Sequence, residues 1–284
     1  MEMLLALFLI GLITGALSGL FGVGGGFILV PLLTLVDIPI KEAIALSLVY
    51  IIGTAISGLF RHFKQNTVDV VLALSMAITS VFTAQLGANL TVGLPANTLK
   101  LYFGILTATV AVFYFFQPGP KTDKETATSE QNHKKPVTNS ILAKIYLQRH
   151  KIVAREDYSY RLNLLIGLVI GAIVGFVSGM FGVGGGFLMV PLMTALMGVP
   201  LKIAVGTSLL GVLAPAISGS FALSQADKLD LHLLPALLVG GLLGAQVGAR
   251  LLLLIKGTTL KLAFDALLLL VSCYMLALGT GFVQ

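Results

Sequence analysis

Two stretches of this chain are suited to chemistry done by the backbone rather than by side chains. Phe21-Gly22-Val23-Gly24-Gly25-Gly26-Phe27 recurs as Phe181-Gly182-Val183-Gly184-Gly185-Gly186-Phe187, and a proline follows each copy at the same distance, Pro31 and Pro191. Each glycine costs a helix about 1 kcal/mol relative to alanine. Four glycines in five residues therefore interrupt the apolar helical pattern on either side. In hydrocarbon such an interruption is tolerated only where it lines a cavity or is covered by protein. The half-helix that follows it directs free N–H groups and the positive end of its dipole at the break, which suits a small anion. Gly22, Gly24, Gly25 and Gly26 are thus the first candidates for substrate binding, with Gly182, Gly184, Gly185 and Gly186. The competing reading is a helix crossing at which small residues let two backbones touch. Paired interruptions at corresponding places in two halves favour a transporter's binding site. Other glycine motifs fit poorly. A dinucleotide fingerprint needs a preceding strand and a glycine where Phe27 stands, and a P-loop needs Lys-Ser/Thr after the last glycine. A potassium-type filter needs four copies around a pore.

Polar side chains deep in the apolar segments come next. Ser47 and Ser208 occupy equivalent places in the two halves, as do Gln85 and Gln246. Each could touch substrate, or simply bond one helix to another. Ionisable groups at membrane depth are functional candidates by default. Asp265 and Arg250 are therefore candidates for proton coupling or anion attraction. Against this, Lys261 lies one helical turn before Asp265 and could pair with it, and Arg250 could snorkel to the interface. His62, beside Arg61 and Lys64, reads as part of a topogenic basic cluster. The four histidines are scattered and form no metal constellation. Neither serine has a His or Lys at membrane depth to activate it, and no nucleotide site is present. An enzyme or an ATP-driven pump is not expected, nor is a cofactor.

The elements that must position these residues are membrane helices. Of 284 residues, 57% are hydrophobic and only 11% charged. Soluble domains carry about 25% charged residues. Net charge is +6, but it is concentrated in one loop, so nucleic acid is not implied. The single Cys273 excludes an internal disulfide. Residues 3–20 lack a basic leader and read as a retained helix rather than a cleaved signal. The halves align over most of their length. The offset is 160 from Gly15/Gly175 through Ser18/Ser178 to Pro31/Pro191, and 161 from Pro39/Pro200 onward. The expected organisation is repeat 1 over 1–116, a charged linker over 117–160, and repeat 2 over 161–284. Five apolar segments fall in each repeat: 3–20, 27–36, 42–60, 68–91 and 97–116, then 163–180, 187–197, 203–222, 232–253 and 260–280. The second of each is too short to cross alone, since crossing takes about 20 residues. Within the linker, Ile141–Arg155 mixes apolar and basic residues and is expected to lie on the membrane as an amphipathic helix.

Charge orients the chain. If the short segments count as crossings, each repeat has five and the repeats are inverted. Fifteen of the 18 Lys and Arg residues then share a side with the linker, leaving Lys41, Lys100 and Lys228 opposite. If the short segments are re-entrant and the repeats parallel, the division falls to 12 against 6. The positive-inside rule prefers the inverted arrangement, with a cytoplasmic linker and external termini.

The duplicated Phe-Gly-Val-Gly-Gly-Gly-Phe, the Val-Pro-Leu after each copy, and the later Gln-Leu-Gly-Ala and Gln-Val-Gly-Ala resemble the TauE/SafE sulfite exporter family. The resemblance spans both apolar halves and leaves the linker outside. It implies an all-α polytopic protein of the cell inner membrane that moves small sulfur-containing or organic anions: sulfite, sulfoacetate, other sulfonates or thiosulfate. It does not fix which anion, the direction of transport, the coupling ion or the oligomeric state. An uncoupled anion channel is the alternative. A sulfonate is fully ionised and carries three acceptor oxygens. Main-chain donors at two half-helix N-termini suit it better than a buried lysine that would hold it too tightly to release.

Overall fold

The computed structural model describes residues 2–116, 146–153, 156–224 and 233–281. The first half comprises α1 (Glu2–Phe21), α2 (Gly26–Leu35), α3 (Ile40–Lys64), α4 (Val70–Gly93) and α5 (Ala96–Phe115). A hairpin follows, β1 (Tyr146–Val153) and β2 (Glu156–Asn163). The second half comprises α6 (Leu164–Phe181), α7 (Gly186–Met197), α8 (Leu201–Gly211), α9 (Leu213–Ser224), α10 (Leu234–Leu251) and α11 (Gly257–Gly279). Eight helical stretches among the described residues are long and apolar enough to cross a membrane, with α8 and α9 forming one stretch, Leu201–Ser224. The helices α2 and α7 are shorter. The protein is thus a multi-pass helical membrane protein.

Local sequence sets the ends of these elements. Asp69 caps α4, its Oδ1 accepting from Val71 N at 3.1 Å and Leu72 N at 3.2 Å. Asn163 caps α6 in the same way, through Leu165 N at 3.0 Å and Ile166 N at 3.3 Å. Such caps satisfy orphan donors of the first turn. The span expected at 203–222 is split at Val212 into α8 and α9. Pro215 explains this, because it has no N–H and its ring would clash with the carbonyl at 211. The equivalent position in the first half is Thr54, and α3 runs through it unbroken.

Two seams of small residues join the halves. A Cβ on Gly11 would lie 2.2 Å from Leu237 O, one on Gly15 2.3 Å from Gly241 O, and one on Gly19 2.2 Å from Ala245 O. Helices α1 and α10 therefore run side by side in the same direction, backbone against backbone. Gly171 against Met76 O (2.1 Å) and Gly179 against Ala84 O (1.9 Å) place α6 on α4 in the same manner. The first long helix of each half thus packs on the fourth segment of the other half. Without a hydrophobic driving force between helices in lipid, close backbone approach of this kind supplies the packing energy.

The segment expected to be an amphipathic surface helix is different. Residues 146–153, the described part of 141–155, form β1, paired antiparallel with β2 from Tyr146↔Asn163 to Val153↔Glu156. Alternation in the partner strand explains this. Tyr158, Tyr160 and Leu162 point inward and are buried, a period of two that fits a half-buried strand and not a helix. The hairpin docks on the α3–α4 loop. Tyr160 donates from its hydroxyl to Asp69 Oδ2 at 2.7 Å, Arg149 Nε lies 3.5 Å from the same oxygen, and Asn66 Nδ2 donates to Ile152 O at 3.0 Å. Lys151 Nζ donates to Val68 O. Burial, then the Asp69 carboxylate, push the Tyr160 hydroxyl above its ordinary range, so it stays protonated and able to donate. Asp69 also lies beside the second half, where its N–H donates to Thr207 Oγ1 at 2.9 Å.

Candidate functional site

Helix α1 stops at Phe21 and α2 starts at Gly26; α6 stops at Phe181 and α7 starts at Gly186. Both expected interruptions are present. Between the half-helices, Gly22, Gly24 and Gly25 have φ of 70°, 75° and 86°, and Gly182, Gly184 and Gly185 have 69°, 68° and 75°. An L side chain in this left-handed region is strained by about 1–2 kcal/mol. Gly26 and Gly186 are glycine for another reason. A Cβ on Gly26 would lie 2.5 Å from Gly182 O, and one on Gly186 2.5 Å from Gly22 O. The two breaks therefore cross in contact, Gly22 beside Gly186 and Gly26 beside Gly182. Phe27 and Phe187 stack across the crossing, ring centroids 5.7 Å apart. Ile51 reaches both breaks: a Cβ on Gly24 or Gly184 would meet its side chain at 2.9 Å. Every residue from Phe21 to Val30 and from Phe181 to Val190 is buried.

Two serines tie the crossing together. Ser47 Oγ on α3 lies 2.5 Å from Gly182 O and 2.7 Å from Ile44 O, sharing one proton between them. Ser208 Oγ on α8 lies 2.5 Å from Gly22 O and 2.8 Å from Val205 O. Each serine thus holds the break of the opposite half. Thr54 Oγ1 donates to Gly24 O at 3.1 Å. The carbonyls of Gly22, Gly24 and Gly182 are thus supplied with side-chain donors. The N–H groups are not. Among the described residues no acceptor meets the N–H of Gly24, Gly25, Gly26 or Phe27, nor of Gly184, Gly185, Gly186 or Phe187. These are the orphan donors of two helix starts. No Lys or Arg occurs between residues 1 and 40 or between 162 and 201, so the positive end of each short helix faces the crossing without a cation on either helical pair.

The remaining candidates lie apart from one another. Gln85 is on the outward face of α4, with Phe82 and Leu86. Gln246 Nε2 donates to Ser57 O at 2.6 Å and lies 3.2 Å from Ser57 Oγ, a bond between α10 and α3. Arg250 is exposed in the last turn of α10. Asp265 is 5% exposed on α11, and its Oδ1 has no hydrogen-bond partner among the described residues. Its neighbour Phe264 packs on Phe21 at 5.2 Å, Phe27 at 6.0 Å and Tyr114 at 5.5 Å, which connects α11 to the first break. A small apolar cavity lies beside this cluster, lined in part by Phe21, Phe264, Val190 and Val205. Among the described residues no group of His, Cys, Asp and Glu side chains is arranged to hold a metal.

Side chains that sequence reasoning passed over also reach the breaks. Tyr50 OH lies 2.7 Å from Thr14 Oγ1 and donates to Gly11 O at 2.7 Å, all beside Gly25. Ser18 and Ser178 are both fully buried next to the breaks. The signal for the serines was available, since they stand at equivalent places in the two halves.

Two interrupted helices that cross inside a multi-pass helical protein define the architecture of a membrane transporter. The comparisons agree: a family model described as sulfite exporter TauE/SafE matches residues 7–275, and the chain belongs to that family. It is similar to a Bacillus subtilis protein named probable membrane transporter protein YunE, 27% identical over 96% of this chain and 97% of the relative. A second B. subtilis relative, probable membrane transporter protein YdhB, is 27% identical over 93% and 94% of the two chains. A Methanocaldococcus jannaschii relative, probable membrane transporter protein MJ0441, is 33% identical over 37% of this chain and 43% of its own. No solved structure matches the chain.

The serine ties make a direct prediction. Ser47→Ala and Ser208→Ala each leave a buried carbonyl without its side-chain donor, at a cost of about 1–3 kcal/mol. Thermal melting of the purified variants in detergent should show comparable losses for the two. A melting temperature equal to wild type in either variant would mean that the serine does not hold the opposite break.

Proposed function

We propose that the protein is a secondary transporter that moves small sulfur-containing or organic anions across the cytoplasmic membrane by alternating access. Sulfite, sulfoacetate, other sulfonates and thiosulfate are the substrate class. The observation that carries this reading is the crossing of the two breaks, where the Gly22 and Gly182 carbonyls have serine donors and the N–H groups of Gly24–Phe27 and Gly184–Phe187 have no acceptor among the described residues. Two helix starts whose N–H groups lack acceptors favour an anion over a cation. Two helix N-termini add favourable potential without a fixed charge, so the anion can still be released. Ser47 and Ser208 shape the site by setting the breaks. Gln246, through its bond to Ser57, ties α10 to α3, while Gln85 lies on the outward face of α4.

The two halves act as inverted repeats in this proposal, with 117–160 as the joining segment. Several contacts support it. The ends of α1 and α3 meet through His62 Nε2 and Gly19 O at 3.1 Å, and Gln65 Nε2 donates to Ala249 O at 2.9 Å at the end of α10. The hairpin docks at the same end, through Asn66 and Asp69. Arg61, Lys64, Arg149, Lys151 and Arg250 belong to that end. Lys41, which donates to Val92 O at 2.8 Å, belongs to the opposite one. By the positive-inside rule the hairpin end is cytoplasmic and both termini are external. Arg250 then attracts anions at the inner mouth. Asp265, a buried carboxyl one residue from the aromatic cluster on the first break, is the proton-coupling group.

Flux in proteoliposomes tests the function. Wild type should accumulate sulfite against its gradient when a pH gradient is imposed, and Asp265→Asn should keep downhill exchange while losing that accumulation. Flux that ignores the pH gradient in wild type would make the protein a channel, and full accumulation by Asp265→Asn would remove that residue from coupling. The orientation is tested separately by labelling single cysteines on a Cys273→Ser background. A cysteine at position 284 should react with an impermeant reagent added outside and one at 130 should not; the reverse pattern contradicts the arrangement.

A further inference from the structure

The two breaks share a backbone but not a neighbourhood. Ser18 on α1 and Ser178 on α6 are fully buried, and neither Oγ has a hydrogen-bond partner among the described residues. A serine inside a helix ordinarily bonds a carbonyl of the preceding turn, as Ser47 does to Ile44 O and Ser208 to Val205 O. Ser18 and Ser178 do not, so each is a buried hydroxyl whose desolvation nothing offsets. Ser18 stands against the start of α2: a Cβ on Gly25 would lie 3.3 Å from Ser18 Cβ, 3.1 Å from Thr14 O and 3.1 Å from Tyr50 Cε1. An unpartnered hydroxyl and the orphan N–H groups of a ten-residue helix thus share one buried spot.

What surrounds that spot differs between the halves. Behind Gly25 lie Thr14, Tyr50 and Thr54, joined by the contacts of Tyr50 OH with Thr14 Oγ1 and Gly11 O and by the bond from Thr54 Oγ1 to Gly24 O. The equivalent positions of the second half are Val174, Gly211 and Pro215. A Cβ on Gly185 would strike Val174 Cγ1 at 2.2 Å, and Met189 Sδ fills the space at Gly211, 2.7 Å from where a Cβ would be. Ile51 reaches both breaks, but hydroxyls stand on the Gly25 side where Val174, Gly211 and Pro215 stand at the equivalent places of the second half. A desolvated oxyanion is held better beside polar groups than beside hydrocarbon.

We propose that the first break, not the second, is the oxyanion site. The Ser18 hydroxyl and the N–H groups of Gly25, Gly26 and Phe27 hold an anion that carries at least two terminal oxygens. Tyr50, set by Thr14, is the wall that orients it. The second break, with Ser178, is the structural counterpart on which the first one rocks. This rests on the reading of the protein as an anion transporter.

Calorimetric titration with sulfite, alongside thermal melts without ligand, tests both layers on the full-length protein. Ser18→Ala replaces an unpartnered buried hydroxyl by a hydrogen, so the ligand-free variant should melt at or above the wild-type temperature. Its sulfite affinity should nevertheless fall about tenfold or more, the loss expected for one charge-assisted hydrogen bond. Ser178→Ala should also melt at or above wild type, while its affinity changes less than about threefold. Unchanged affinity in Ser18→Ala, equal losses in the two variants, or a lowered ligand-free melt for Ser18→Ala would each overturn the assignment. Wild-type protein that binds none of sulfite, thiosulfate and sulfoacetate would instead overturn the anion reading, and this proposal with it.

Discussion

A helix interrupted inside hydrocarbon must have its backbone covered by something other than lipid, and in this protein two interruptions cover each other. The close approach of Gly26 to Gly182 O and of Gly186 to Gly22 O is possible only without side chains at those positions. Once the breaks are in contact, the surrounding elements follow. Ser47 and Ser208 must come from opposite halves to reach the two carbonyls. The seams of α1 on α10 and α6 on α4 must be of small residues, because they hold both long half-helices at backbone distance from the other half. The arrangement gives the Gly22 and Gly182 carbonyls serine donors and leaves the N–H groups at the two helix starts without acceptors among the described residues, the basis of the proposed anion site.

The breaks were legible in the sequence because glycine adopts positive φ without strain, and the chain repeats the requirement in both halves. Helix lengths were legible because a bilayer fixes them. The hairpin was not. The run Tyr146–Val153 mixes apolar and basic residues in a way that fits a helical face as well as a strand. Its state is decided by β2, where Tyr158, Tyr160 and Leu162 alternate and where Asp69 offers Tyr160 a partner distant in sequence. The split of α8 from α9 is written in Pro215, but the apolar run 203–222 is otherwise continuous and masks it.

Side-chain candidates were legible as types and not as orientations. Gln85 and Gln246 stand at equivalent places, yet one faces outward and the other bonds Ser57. Nothing in a single apolar helix tells which face meets lipid. Ser47 and Ser208 earned attention by duplication, and duplication singled out Ser18 and Ser178 equally. What distinguishes the second pair is an unpartnered oxygen, visible only when the folded-back chain brings Gly25 onto α1. Thr14, Tyr50 and Thr54 have no polar equivalents in the second half, so a search for repeated residues was bound to miss them. Departure from the repeat is the sequence signal that marks them.

The near-symmetry of the two halves and the local asymmetry at their breaks serve different ends. In the proposed mechanism, symmetry allows two conformations of similar energy, as alternating access requires. In the same proposal, asymmetry allows a single substrate to be held one way round. Both depend on the claim that main-chain donors at the crossing meet the anion. A structure of the protein bound to thiosulfate, whose sulfur atoms are located by anomalous scattering, measures this directly. The account predicts oxygen atoms within about 3 Å of N–H groups in the stretch Gly24–Phe27. Thiosulfate lying more than about 6 Å from both glycine runs, beyond the reach of any hydrogen bond, would contradict it.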